Sequence, residues 1–164
     1  MRGWMNSKTA RSHGTSSVGF GVGGRGRRGG GSLVEMIFVL PILLGLAFGV
    51  VEYGYFFFVK HTVQAAAREG ARAAVVASAS NQNVTDAVSN VMTSAGLNNT
   101  GYTVAVTDTS GNAVTVGNVA AGNSLKVTVQ CTWGSVGIHP LPEALGGIST
   151  TKVVKGTTVM RKEG

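Results

Sequence analysis

From Leu33 to Val59 the chain is apolar almost throughout, with charge only at Glu35 and Glu52. A helix of about 20 such residues crosses the hydrocarbon of a bilayer, so this run is long enough to span with some tilt. It is too long for the apolar core of an ordinary signal peptide. No small-residue cleavage site follows it in a loop, only more helix-forming sequence. The run is therefore expected to remain in the mature protein as an anchor, and any folded domain must hang from it.

Charge sets the expected orientation. The 164-residue chain has a net charge of +7. Arg2, Lys8, Arg11, Arg25, Arg27 and Arg28 precede the run, and no acid does. From residue 31 onward eight basic side chains face seven acidic ones. A positive segment ahead of an apolar helix stays in the cytoplasm while the chain beyond is exported. The expected topology is single-pass, with the N-terminal segment cytoplasmic and the C-terminal part extracytoplasmic. The Gly-, Ser- and Arg-rich leader, residues 1–30, is expected to be disordered, and Met5 would serve as a start as well as Met1. Its Gly/Arg stretch resembles an RNA-binding tract only superficially. Such tracts usually accompany a folded nucleic-acid module, and none is read here; no nucleic-acid partner is expected.

Within the run, an ionisable group in lipid needs a partner. Glu35 lies near the cytoplasmic face, about one turn from Gly31. A cut between Gly30 and Gly31 would place a free amine close to it, on the same or a neighbouring subunit. Glu52 lies near the outer end. Two readings stay open for it: interfacial exposure, by snorkelling or otherwise, or pairing with a basic group in an assembly. Pro41 is expected to weaken or kink the helix, which membrane helices tolerate. Gly45 and Gly49 form a Gly-xxx-Gly pair that lets helices approach closely, and Gly54 adds a further small residue. Tyr53, Tyr55 and Phe56 to Phe58 suit an aromatic belt at the outer interface.

Lys60 to Val76 has high helix propensity, so one helix is expected from about residue 33 to 78, roughly 70 Å long. Residues 77–83 read as a linker or frayed end. Thr85–Ala95 reads as a short helix with Val84, Val88, Val91 and Met92 on one side. Alternation then predicts strands at 102–107, Ala113–Val119 and Leu125–Trp133, and a last strand within Thr150–Met160. The expected fold class is α+β: a long N-terminal transmembrane spine helix followed by a small antiparallel sheet. The expected organisation is a leader at 1–30, a membrane helix at 31–59, its extracytoplasmic continuation at 60–78 and a β-rich exported domain at 79–164. Cys131 falls on the apolar face of its strand and is expected to be a buried, inert thiol, with an intermolecular disulfide as the other reading. His13, His61 and His139 lack metal-ligand spacing. No catalytic motif, metal site or cofactor site is read, and no enzyme is expected.

These residues resemble the TadE-like family, pseudopilins of tight-adherence (Flp-type) pilus systems. Three features carry the resemblance: the basic glycine junction with Glu35 at the fifth position after a Gly30/Gly31 cut; the apolar run with Pro41 and Glu52-Tyr53-Gly54; and Ala66-Ala67-Arg68-Glu69-Gly70-Ala71-Arg72 beyond the membrane. The resemblance implies cleavage by a prepilin peptidase and a role for Glu35 in assembly. It implies a pilin-like fold in the inner (cytoplasmic) membrane with a periplasmic C-terminal domain, or incorporation in a surface pilus, and as partners other pilins or pseudopilins and the pilus assembly platform, beside membrane lipid. The alternative is a signal-anchored protein whose small extracytoplasmic domain binds a ligand unrelated to pili.

Overall fold

The computed structural model describes residues 29–163, so the expectations for the leader before them lie outside the described residues. Helix α1 runs from Gly29 to Val75, 47 residues, and passes through Pro41 without interruption. At 1.5 Å per residue it is roughly 70 Å long. Its two halves differ in environment. Large apolar side chains from Leu33 to Val51 are exposed, whereas Glu52, Val59, Val63, Ala66, Ala67, Ala71 and Ala74 are fully buried.

Helix α2, Asn81–Ser94, starts earlier than the Thr85 expected from the sequence. Its start is fixed by a reciprocal cap. The Ser80 amide donates to Asn83 Oδ1 at 2.8 Å, and the Asn83 amide donates to Ser80 Oγ at 3.4 Å. Asparagine replaces the more usual glutamate or glutamine of a capping box, which is why this polar stretch reads as linker in sequence. Val84, Val88 and Met92 form the buried stripe, and Val91 is partly buried beside it.

The sheet is antiparallel with strand order β1-β2-β3, formed by β1 (Thr103–Thr107), β2 (Ser124–Thr132) and β3 (Val153–Arg161). The expected alternation holds on β2, where Leu125, Val127, Val129 and Cys131 are buried. Trp133 continues that side from the 3-10 turn Trp133–Ser135 and is fully buried. The expected strand Ala113–Val119 does not form. Ala113 makes one bridge to Thr107, and Val116–Asn118 is a 3-10 turn. The backbone of Val116 is satisfied by side chains instead of a neighbouring strand. Its amide donates to Asn81 Oδ1 at 2.7 Å, and its carbonyl accepts from Lys162 Nζ at 2.6 Å.

Both α2 and the sheet pack on the C-terminal half of α1. The closest crossing is at Gly156 of β3, where a Cβ would stand 2.6 Å from the Val63 carbonyl oxygen and 2.8 Å from Gln64 Cα. Only glycine permits such an approach. Beside it, the Gln64 amide docks on the strand: Nε2 donates to the Thr157 carbonyl at 3.0 Å, and Oε1 accepts from the Thr157 amide at 3.3 Å. Nearer the membrane run, the core joins Val59, Val63, Ala66 and Ala67 to Val88, Met92, Val129, Cys131 and Trp133. Farther along α1, Ala71 and Ala74 meet Val84, Val116, Leu125 and Val127. Each fully buried valine or leucine in these clusters contributes about 1.5–3 kcal/mol of transfer free energy.

Candidate membrane and assembly site

The residues singled out in the sequence fall into three groups along α1. Gly30 and Gly31 lie in its first turn. Glu35 is exposed, four residues beyond Gly31 on the same helix. Positions separated by four residues face the same side one turn apart, so a terminal amine at Gly31 and the Glu35 carboxylate share a side.

Pro41, Gly45, Gly49 and Gly54 form the second group. A Cβ built at Gly45, Gly49 or Gly54 meets nothing within 4 Å. These glycines therefore relieve no crowding among the described residues. The 45/49 pair leaves a smooth patch on a helix whose surroundings, in this chain alone, are open. Gly70 is the opposite case. A Cβ there would lie 2.8 Å from Val88 Cγ2 and 3.2 Å from Val127 Cγ1, so this glycine brings α2 and β2 against the spine.

The third group, residues 66–72, divides by face. Ala66, Ala67, Gly70 and Ala71 are buried, while Arg68, Glu69 and Arg72 are exposed. Arg72 Nη1 and Glu69 Oε2 stand 4.0 Å apart on the surface, a contact that contributes little on its own. Packing thus accounts for the small residues of the motif and leaves its charged residues free for contacts outside the chain.

Glu52 departs from the exposed, interfacial reading offered by the sequence. Its side chain is 0 % exposed, so it is not an interfacial, snorkelling carboxylate. No basic group pairs with it among the described residues. Instead Oε1 accepts from the Ile148 amide at 2.7 Å and Oε2 from the Leu141 amide at 3.1 Å. The two donors bracket a tight loop, closed by the Gly147 amide donating to the Pro142 carbonyl at 3.1 Å. A Cβ on Gly147 would run into the Leu141 carbonyl. Next to Glu52, the Tyr53 hydroxyl donates to the Gly146 carbonyl at 3.3 Å. A carboxylate in an apolar setting is tolerated when its oxygens accept such charge-assisted bonds.

The expected aromatic belt is also split. Tyr53, Phe57 and Phe58 are substantially exposed, but Tyr55 and Phe56 pack on Trp133, with ring centroids 6.0 and 5.2 Å away. His139 completes this cluster edge-on to Trp133 at 5.5 Å. Trp133, Gln64 and Gly156 carry no functional signal in the sequence. Their roles depend on partners far along the chain, which no local pattern reveals. Cys131 is buried and unpaired, and burial pushes its thiol pKa up. Among the described residues no three His, Cys, Asp or Glu side chains gather as a metal site would require.

Among the described residues one helix, Gly31–Val75, contains a window long and apolar enough to cross a membrane, and none of that window is buried. No curated protein and no solved structure matches the chain. Residues 30–72 match the family model described as TadE-like protein. That segment contains the junction, the apolar run and the motif beyond it. The family is one of pilus components and is not known as an enzyme family. Over this segment, about a quarter of the chain, the sequence is similar to the TadE-like family, and the similarity suggests a membrane protein related to tight-adherence pili.

Proposed function

We propose that the chain is a minor pseudopilin of the inner membrane that acts in assembling a tight-adherence, Flp-type pilus. In this reading a prepilin peptidase cuts between Gly30 and Gly31, the N-terminus of the precursor is cytoplasmic, and the domain after the helix is periplasmic. The observation that carries it is the division of α1. Large side chains from Leu33 to Val51 have no core contacts, and the folded domain covers the helix from Glu52 onward. From Gly31 to Val51 the helix is about 30 Å long, the thickness of bilayer hydrocarbon. The membrane helix then occupies 31–51, and the last part of the apolar run, up to Val59, lies under the domain.

Within that stretch the functional residues have separate tasks. Gly30 precedes the cut. Glu35 takes the new amine of a neighbouring subunit and sets its register, because an ion pair in lipid is strong and an unpaired carboxylate there is costly. Gly45 and Gly49 allow a second helix to approach, and Arg68, Glu69 and Arg72 meet partners beyond the membrane. Partners of this kind are other pilins or pseudopilins and the assembly platform. The test is complementation of a deletion strain of the native host. Glu35→Ala is expected to be made, inserted and cleaved, yet to give few or no pili by electron microscopy. Normal piliation by that variant would reject the assembly role of Glu35.

A further inference from the structure

The loop that captures Glu52 has its own surface, and its composition is unusual for an exported domain. Between Gly137 and Thr150 the only acidic or basic side chain besides His139 is Glu143. Glu143 Oε1 accepts from the Thr150 amide at 2.9 Å, which folds the carboxylate back onto the loop. His139 is turned against Trp133, with both ring nitrogens buried. Glu143 and Thr150 are exposed at one side of the loop, and the large side chains turned outward are apolar. Leu145 is 73 % exposed, as open as Phe38 or Leu33 on the bare part of α1, and Ile138 is 45 % exposed.

Position says what covers this surface. The loop is held at Glu52 and Tyr53 by three hydrogen bonds. Those are the first residues of α1 that the domain touches through hydrogen bonds. Glu52 stands about 30 Å along the helix from Gly31, at the outer edge of the hydrocarbon layer. The loop is therefore the membrane-proximal edge of the domain and is continuous with the lipid-facing side chains of the helix. We propose that the 137–150 loop is a second membrane contact, which inserts Leu145 and Ile138 into the outer boundary of the bilayer and seats the domain on the lipid surface. Interfacial elements of this kind bury their apolar face about 5–10 Å into the headgroup and acyl boundary. Glu52 then serves as the clasp: it fixes the loop at this depth, and the loop's amides shield the carboxylate from lipid. The inference rests on reading α1 as the membrane helix.

The test uses the full chain reconstituted in phosphatidylethanolamine–phosphatidylglycerol vesicles. Leu145→Cys, Val50→Cys and Thr109→Cys are each labelled with a thiol-reactive fluorophore; the wild type, whose Cys131 is buried, serves as the blank. Lipids carrying a nitroxide high on the acyl chain are then added. Labels at 145 and 50 are expected to lose about half or more of their fluorescence, as shallow burial requires, while the label at 109 keeps its own. Quenching at 50 with none at 145 would overturn the loop contact and leave the membrane helix standing. No quenching at 50 would remove both. A label at 145 that is unquenched in vesicles, when the same Leu145→Cys variant resists labelling in cells, would assign the surface to a protein partner and overturn the lipid contact.

Discussion

Glu52 is the residue whose chemistry is most exposed to experiment. Its two oxygens satisfy the amides of Leu141 and Ile148, so Glu52→Ala leaves two sheltered N–H groups without acceptors. Each such group costs about 1–3 kcal/mol. Glu52→Ala is therefore expected to lower the unfolding midpoint of the full chain in detergent micelles clearly, and Glu52→Gln by less, since one carbonyl oxygen remains. Equal stability of Glu52→Ala and wild type would contradict the clasp. That the residue needed a partner was legible in the sequence, because a carboxylate in an apolar run is anomalous. The partner was not, because the donors are backbone amides 89 and 96 residues away. Cys131 was legible from its place on the apolar face of β2. Burial raises its pKa, so the thiol stays protonated at pH values where an unperturbed cysteine, with a pKa of about 8.5, ionises. Alkylation by iodoacetamide at that pH is expected to be slow in the folded protein and fast in denaturant, as read by intact mass.

At the scale of elements, the glycines of α1 separate packing within the chain from packing between chains. Gly70→Ala pushes a methyl group to 2.8 Å from Val88 Cγ2. Over-packing of this kind costs about 1–3 kcal/mol, and urea unfolding is expected to show it. Gly45→Ala and Gly49→Ala meet nothing in the chain. They are expected to leave the isolated protein as stable or slightly more stable, by about 1 kcal/mol or less from helix propensity, and to weaken association between membrane helices in a two-hybrid or crosslinking assay. α2, β1 and β2 could be read from periodicity, because each turns one face to the core, and the spine helix from its apolar length and helix propensity. The segment at 113–119 could not. Its alternating valines resemble a strand, but the backbone of Val116 is held by Asn81 and Lys162, residues remote in sequence.

The whole molecule is a spine with two environments, and Glu52 marks where they meet. Below it α1 is bare and apolar; above it the helix is the central strut of a small α+β domain. The junction, the run and the 66–72 motif were legible because each follows a physical rule visible over a few residues: charge asymmetry, length of apolar sequence, and small side chains on one helix face. How far the domain reaches toward the membrane was not legible, since it depends on a loop returning from far along the chain to Glu52. In the proposed function this spine is exposed by cleavage and then used in pilus assembly. Intact-protein and N-terminal peptide mass spectrometry, on protein extracted from membranes of the native host, tests it most directly. A mature N-terminus at Gly31, absent from a strain lacking the prepilin peptidase, is the predicted result. A chain that keeps its leader in a host with an active peptidase would contradict it and leave a signal-anchored domain with another role.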